Sequence, residues 1–362
     1  MNNNPLISLE QLGQQVWLDN LSRTLLREGT LDKLIEQDGV SGVTSNPAIF
    51  FNALSKSPYY QEELAQLKTT DLSAETRYER LVIADIQAAC DKLAGVFRNS
   101  NGDAGYVSLE VSPHLKHDED GTVAAARRLK AEVSRDNLLV KVPATPAGIR
   151  AIERLIAEGI NVNVTLMFSL AHETAVANAY IRGARQWVAN GGNPRSLKSV
   201  ASIFMSRVDT LVDQKLEAIG SSEALALRGS AAVALGKLAY QQYWNRFHGA
   251  EFADLATRGV RPQYPLWAST GTKNAAYSDV LYVEPLIAAE TVNTLPDATL
   301  AAFRDHGHTS TATASMDVAA AEAHRLALLA QGIDLDVIGE QLQVEGLELF
   351  VQAYDKLLGM MV

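Results

Sequence analysis

The sequence predicts an α/β fold, a single (β/α)8 TIM barrel with extra helices, and three observations predict it. Eight short, near-continuously apolar, β-rich runs recur along the 362 residues. Segments with helical periodicity separate them. A hydrophilic residue ends or interrupts seven of the eight runs. Apolar runs of this length suit parallel strands buried on both faces, and eight strand–helix alternations close a barrel.

Taken in order, the first run is Gln15–Asp19, the second Ser41–Thr44 and the third Tyr106–Glu110. Tyr59–Phe97, between the second and third, reads as a long helical insertion. The fourth run, Leu138–Val142, leads into a punctuated helix. Thr145 can cap it, Pro146 suits its first position, Ile149, Ile152, Leu155 and Ile156 form one apolar face, and Gly159 closes it. The fifth run is Ile160–Leu166 and the sixth Ser199–Phe204, followed by a face of Val208, Leu211, Val212, Leu216 and Ile219 that ends at Gly220. A second helical insertion, Glu223–Thr257, precedes the seventh run, Pro265–Ala268, and the eighth, Thr291–Thr294. A helical tail follows Leu295. The surplus over a barrel of roughly 250 residues thus falls at about 52–98, 220–258 and 296–362 of one domain spanning 1–362. No linker divides it.

A hydrophobic content of 47% with 20% charged residues excludes a disordered chain. Lys+Arg 32 against Asp+Glu 42 gives a net charge of −10. That sign repels phosphodiester backbones and anionic lipid, so neither nucleic acid nor membrane is an expected partner. Any bound phosphate must be held by a few local cations. A single cysteine, Cys90, cannot form an internal disulfide and fits a reducing compartment. The segment MNNNPLISLE has no signal-peptide pattern, and no run approaches the ~18 apolar residues of a membrane span. The expectation is a soluble, cytoplasmic protein.

The polar interruptions carry the chemistry. Asp19 ends the first run, Thr44, Ser45 and Asn46 the second, and Glu110 the third. Lys141 sits inside the fourth, Asn163 and Thr165 alternate in the fifth, Ser202 lies in the sixth, and Ser269 ends the seventh. In a barrel these side chains converge on the C-terminal mouth, where such folds place their sites. Lys141 stands between Val140 and Val142, where keeping a charge is unfavourable. It reads either as a lysine whose stem lies on apolar surface with its head in water, or as a Schiff-base nucleophile. The second reading requires desolvation to lower a pKa that is ordinarily about 10.4, exposing the amine lone pair.

Asp19 or Glu110 alone reads as a cap or a surface acid. With Lys141 they supply the proton carriers that imine chemistry needs. Arg207 opens the helix after the sixth run and Lys273 lies in the loop STGTKN, together a possible phosphate clamp. The competing reading pairs Arg207 with Asp209 or Asp213 on the surface. His114, His117 and the acids Asp118–Asp120 read as a solvated loop and helix cap rather than a metal site. Gly191–Pro194 reads as a turn, Cys90 as core, and Tyr240, Tyr243, Trp244 and Phe247 as packing of the insertion onto the barrel.

At these residues the chain resembles the transaldolase family in its longer bacterial form. The matching stretches are WLDNLSR (17–23), GVTSNPAIF (42–50), VSLEVSP (107–113), LLVKVPAT (138–145), NVNVTLMFS (161–169), SVASIFMSRVD (199–209) and PLWASTGTKN (265–274). The resemblance implies that Lys141 forms the imine, that Asp19 is the acid/base for C–C cleavage, and that Glu110 handles the catalytic water with Thr165. It implies that Thr44, Asn46 and Asn163 hold the acids and the sugar hydroxyls, and that Ser202, Arg207 and Ser269 hold phosphate. Shorter family members carry an arginine two residues past the matching serine, where this chain has Gly271; Lys273 is the nearest replacement. Phe204 matches a tyrosine of the related fructose-6-phosphate aldolases, and its lack of a hydroxyl favours transfer to an acceptor over release of dihydroxyacetone.

The implied activity transfers a dihydroxyacetone unit from sedoheptulose 7-phosphate or fructose 6-phosphate to glyceraldehyde 3-phosphate or erythrose 4-phosphate. No cofactor and no metal are expected, because the iminium does the polarising. Small-molecule sugar phosphates are the expected partners, and a monomer or homodimer the expected assembly. An acceptor-independent aldolase and a non-catalytic sugar-phosphate-binding barrel are the competing functions.

Overall fold

In the computed structural model, which describes residues 4–309 and 311–362, the strands are β1 Gln14–Leu18, β2 Val40–Val43, β3 Tyr106–Glu110, β4 Leu138–Pro143, β5 Val162–Met167, β6 Ser199–Phe204, β7 Tyr264–Ala268 and β8 Thr291–Leu295. Each pairs in parallel with the next and β8 returns to β1, closing the barrel. Every residue of β4, β5 and β6 is buried. Their inner faces fill the barrel and their outer faces meet the helices, which is why the runs are apolar throughout.

Asp19 and Thr44 fall one residue beyond β1 and β2, yet their N–H groups continue the ladders, to the Leu295 carbonyl at 2.8 Å and the Leu18 carbonyl at 2.9 Å. Their side chains are therefore fixed at the mouth by the sheet. β5 starts later than its apolar run suggests, because Ile160 N–H still closes the preceding helix onto Leu155 O at 2.9 Å. It also ends later, through a bulge: the register with β6 shifts between Val164 and Met167, and Leu166 adopts φ +58°.

The first insertion consists of helices Pro47–Lys56, Gln61–Lys68 and Ala74–Asn99. It is fixed to the segment after β1 by Arg23. The Arg23 guanidinium lies 4.6 Å above the Tyr60 ring and donates to Asp85 Oδ1 at 2.8 Å and Glu63 Oε2 at 2.5 Å. Tyr60 completes the cluster by donating to Asp85 Oδ2 at 2.7 Å. The second insertion follows helix Ser206–Ile219 with helices Ser222–Leu225, Ala231–Phe247 and Ala253–Thr257. Tyr240, Tyr243 and Phe247 pack inward as expected. Trp244 does not: it is 46% exposed and stacks on His248, because its position turns it to the solvent side of the helix. Cys90 is wholly buried, and burial pushes its thiol up to about 12. Asp118 caps helix Glu119–Val133 through the Gly121 N–H, and His114 pairs with Asp355 at the surface.

The tail holds helices Asp297–His306, Val318–Ala330 and Leu335–Gly359. The last has 25 residues and crosses the C-terminal mouth. Glycine disfavours a helix interior, but here it permits contact. A Cβ at Gly339 would lie 2.6 Å from Ser169 Cβ, and one at Gly346 would lie 3.0 Å from Leu166 Cδ2 and 3.2 Å from Arg207 Nη1. The end of the chain is tied down by Tyr354 to Glu75 at 2.8 Å and by Arg77 to the Met361 carbonyl at 2.6 Å. Among the described residues no helix is long and apolar enough to cross a membrane.

Candidate active site

Parallel pairing sets Glu110 of β3 beside Lys141 of β4, and Lys141 beside Asn163 of β5. Residues in register on neighbouring strands share a face, so an acid, an amine and an amide form one polar layer across three strands. The Lys141 side chain is 6% exposed; its Nζ donates to the Ser45 carbonyl at 3.1 Å and lies 3.9 Å from Glu110 Oε2. Glu110 Oε2 itself is buried without a hydrogen-bond partner, and so is Thr165 Oγ1, two residues beyond Asn163 on β5. Burial raises the Glu110 pKa from the ordinary 4.5 to about 7, assisted by the charge of Asp19 and opposed by that of Lys141. The carboxyl is thereby poised near neutrality.

Asp19 is half-buried at the end of β1. Thr44 donates to its Oδ1 at 2.7 Å and itself contacts Thr294 Oγ1 at 2.6 Å. Burial raises the Asp19 pKa, while the Lys141 charge and then the Thr44 hydrogen bond act to lower it. Two acids thus flank one amine, each desolvated and each opposed by that amine's charge.

A cavity of about 380 Å³ opens above Lys141. Asp19, Thr44, Asn46, Lys141 and Thr165 line its polar side, and Ser202, Phe204, Arg207 and Ser269 line it farther round the mouth. Asn46 serves twice: its Oδ1 caps helix Pro47–Lys56 at Ile49 N–H, 3.0 Å, which fixes the side chain where it meets the cavity. Arg207 forms no ion pair with either acid of the competing reading. Asp209 accepts from Tyr282 at 2.8 Å and Ala232 N–H at 2.8 Å, and Asp213 from Tyr277 at 2.6 Å and Gly229 N–H at 2.9 Å. The guanidinium lies 5.6 Å over the Phe204 ring, and burial lowers its pKa, opposed by Glu345. Beside it the helix Ser206–Ile219 begins, and Ser206 shares a 2.8 Å hydrogen bond with Ser269, itself at φ +54°. A largely buried cation at a helix N-terminus is a site for an anion.

Three expected residues do not line the cavity: Glu110, which reaches it only through Lys141 at 3.9 Å, Asn163 and Lys273. Asn163 is wholly buried beneath the cavity, its amide donating to Ser108 at 2.9 Å and accepting from Ser202 at 2.7 Å. Its hydrogen bonds to those two serines occupy it, so it supports the floor without lining it. Lys273 is exposed in an adjoining groove that it shares with Arg207, because the loop after β7 carries it outward. Sequence reasoning missed Thr294, which alternates in the eighth run much as Thr165 does in the fifth, so a signal existed. It also missed Leu349, Phe350 and Ala353 of the final helix, which form the apolar wall. A second buried lysine, Lys198, lies at the opposite end of the barrel. It is paired with Asp103 at 2.8 Å beneath the Tyr264 ring at 3.6 Å, and burial lowers its pKa to about 8. A depression of about 690 Å³ near Asn4, Lys33 and Arg304 gathers no strand-end residues, and its Arg304 is engaged by Asp38 at 2.7 Å.

The family described as transaldolase/fructose-6-phosphate aldolase matches residues 16–361. The chain is 55% identical over 351 residues to a transaldolase of Thiobacillus denitrificans, covering 97% of each chain. It is 46% identical over 357 residues to one of Neisseria gonorrhoeae, covering 99% of each. To one of Frankia alni it is 44% identical, covering 98% of this chain and 96% of that one.

Proposed function

The chain belongs to the transaldolase/fructose-6-phosphate aldolase family and is a transferase of the transaldolase type, and from that premise we propose that Lys141 is the amine that carries the transferred three-carbon unit. The observation that carries this reading is the position of the Lys141 amino group: buried between two desolvated acids, at the floor of a cavity lined by strand ends from across the barrel. The reaction moves a dihydroxyacetone unit from sedoheptulose 7-phosphate or fructose 6-phosphate to glyceraldehyde 3-phosphate or erythrose 4-phosphate, a step of the non-oxidative pentose phosphate pathway.

The neutral Lys141 amine attacks the ketone carbon, and loss of water gives a protonated imine. Glu110, with a pKa of about 7, exchanges protons with that water, and Thr165 holds it; both carry buried oxygens without a protein partner. Asp19 takes the proton of the C4 hydroxyl, the C3–C4 bond breaks, and its electron pair flows to the iminium. The aldose phosphate leaves, and the enamine waits on Lys141 for a second aldehyde. Thr44 holds Asp19, Asn46 meets the sugar hydroxyls, and Asn163 steadies the floor. Arg207, Ser269 and Ser202 receive the phosphate, with Lys273 as a point charge from the neighbouring groove. Phe204 contributes a ring against Phe168 at 5.2 Å and no hydroxyl to protonate the intermediate.

The whole chain acts as one catalytic unit with helical insertions, since the final helix supplies a wall of the cavity. The acidic balance of −10 and the single cysteine support a cytoplasmic protein without nucleic acid as a partner, acting as a monomer or homodimer. The test measures sedoheptulose 7-phosphate consumption with and without glyceraldehyde 3-phosphate. Fructose 6-phosphate should form only with the acceptor present. Release of dihydroxyacetone at a comparable rate without acceptor would overturn the assignment.

A further inference from the structure

The geometry points to Gln343, on the final helix, as a positioning residue for the lysine strand and its neighbour. Gln343 is 6% exposed, and its Nε2 donates to two buried carbonyls, Ala144 O at 3.0 Å and Leu166 O at 3.1 Å. The first lies just past the end of β4 and the second in the bulge near the end of β5, the two strands that carry the chemistry. Ala144 follows β4, three residues after Lys141, and is tied back by its own N–H to Thr165 O at 2.9 Å. Leu166 follows Thr165 directly and is the left-handed residue of the β5 bulge.

A bulge turns a carbonyl out of the ladder and leaves it needing a donor. A non-glycine residue at positive φ persists only when its surroundings hold it. Gln343 supplies the donor, and Gly346, one turn along, lets the helix approach the Leu166 side chain and Arg207. A primary amide is the one neutral side chain that offers two N–H donors from a single atom, so it can clamp two strand ends at once. The clamp fixes the peptide between Leu166 and Met167 directly, and through Ala144, whose own N–H holds the Thr165 carbonyl, the peptide between Thr165 and Leu166; with both held, the unpartnered Thr165 hydroxyl keeps its direction against the Lys141 strand. The final helix therefore sets the working geometry of the reaction as well as walling the cavity.

This inference rests on the reading of Lys141 as the nucleophile, and the test separates the two. Gln343→Met keeps the shape and removes both donors; Gln343→Glu offers one donor when protonated and none when ionised. With activities normalised to the folded fraction from circular dichroism, Gln343→Met should lower kcat at least tenfold and change KM for fructose 6-phosphate less than threefold. The ratio of kcat for Gln343→Glu to that for Gln343→Met should rise at least threefold between pH 8 and pH 6, since titrations common to both cancel. Should Gln343→Met not fold, the same rise is expected for Gln343→Glu relative to the unsubstituted protein. A Gln343→Met variant that is less heat-stable but keeps kcat within twofold refutes the inference, as does a flat ratio. Borohydride treatment of the unsubstituted protein with fructose 6-phosphate is the control: without an adduct on Lys141 it is the nucleophile assignment that fails.

Discussion

Substituting glutamine for Glu110 removes a carboxyl whose pKa burial raises from 4.5 to about 7. Between those two values the folded chain binds the proton more tightly than the unfolded chain, so stability falls as pH rises. The full contribution of the neutral acid is present below 4.5 and is lost as pH passes through about 7. At about 1.36 kcal/mol per pH unit, the ionised acid costs about 3 kcal/mol above that range. Glutamine stays neutral throughout. The Glu110→Gln variant should therefore be more stable than the unsubstituted protein by roughly 1 kcal/mol at pH 5 and about 3 kcal/mol at pH 8. Equilibrium urea denaturation at the two pH values measures both. Activity should move the other way, falling about 10²- to 10⁴-fold as a proton carrier is lost. The limb of the kcat/KM profile near pH 7 should vanish with it. A Glu110→Gln variant less stable at pH 8 would mean that the attraction to Lys141 at 3.9 Å outweighs burial, and the reasoning would fail.

Other substitutions probe the rest of the site and its frame. Arg207→Ala should raise KM for fructose 6-phosphate roughly 10- to 100-fold, the worth of a charge-assisted hydrogen bond, and leave turnover of unphosphorylated fructose unchanged; equal effects on both sugars would remove Arg207 from the phosphate site. Phe204→Tyr, by placing a hydroxyl beside the enamine, should increase acceptor-independent release of dihydroxyacetone, followed by coupled assay, at the expense of transfer. Arg23→Met leaves Asp85 buried without its cation and should destabilise the fold by about 3–5 kcal/mol. Urea denaturation reads that loss, and a change under 1 kcal/mol would show that Asp85 neutralises without cost.

The strand residues were legible because parallel strands buried on both faces leave few places for polar groups. A lysine between Val140 and Val142, or an acid closing Tyr106–Glu110, stands out for that reason. β3 and β6 were readable to the residue. The final helix was not readable in the same sense. Its stripe of Leu335, Ile338, Leu342, Leu347 and Phe350 marks a buried face, but periodicity does not tell what that face covers. Leu349, Phe350 and Ala353 reach the cavity only because the tail folds back over the mouth. The β5 bulge left no mark either, since Leu166 is an ordinary strand residue forced to positive φ by its context. Lys273 was legible only by its proximity in sequence to Ser269; the structure sets it in the adjoining groove, beside Arg207.

The amine at the floor of the barrel is tested most directly by reducing the protein with borohydride in the presence of fructose 6-phosphate and locating the label by peptide mass spectrometry. The account predicts one three-carbon adduct, on the peptide containing Lys141, absent from a Lys141→Met variant that still folds. Label on the other buried lysine, Lys198, or on no lysine at all, would contradict it.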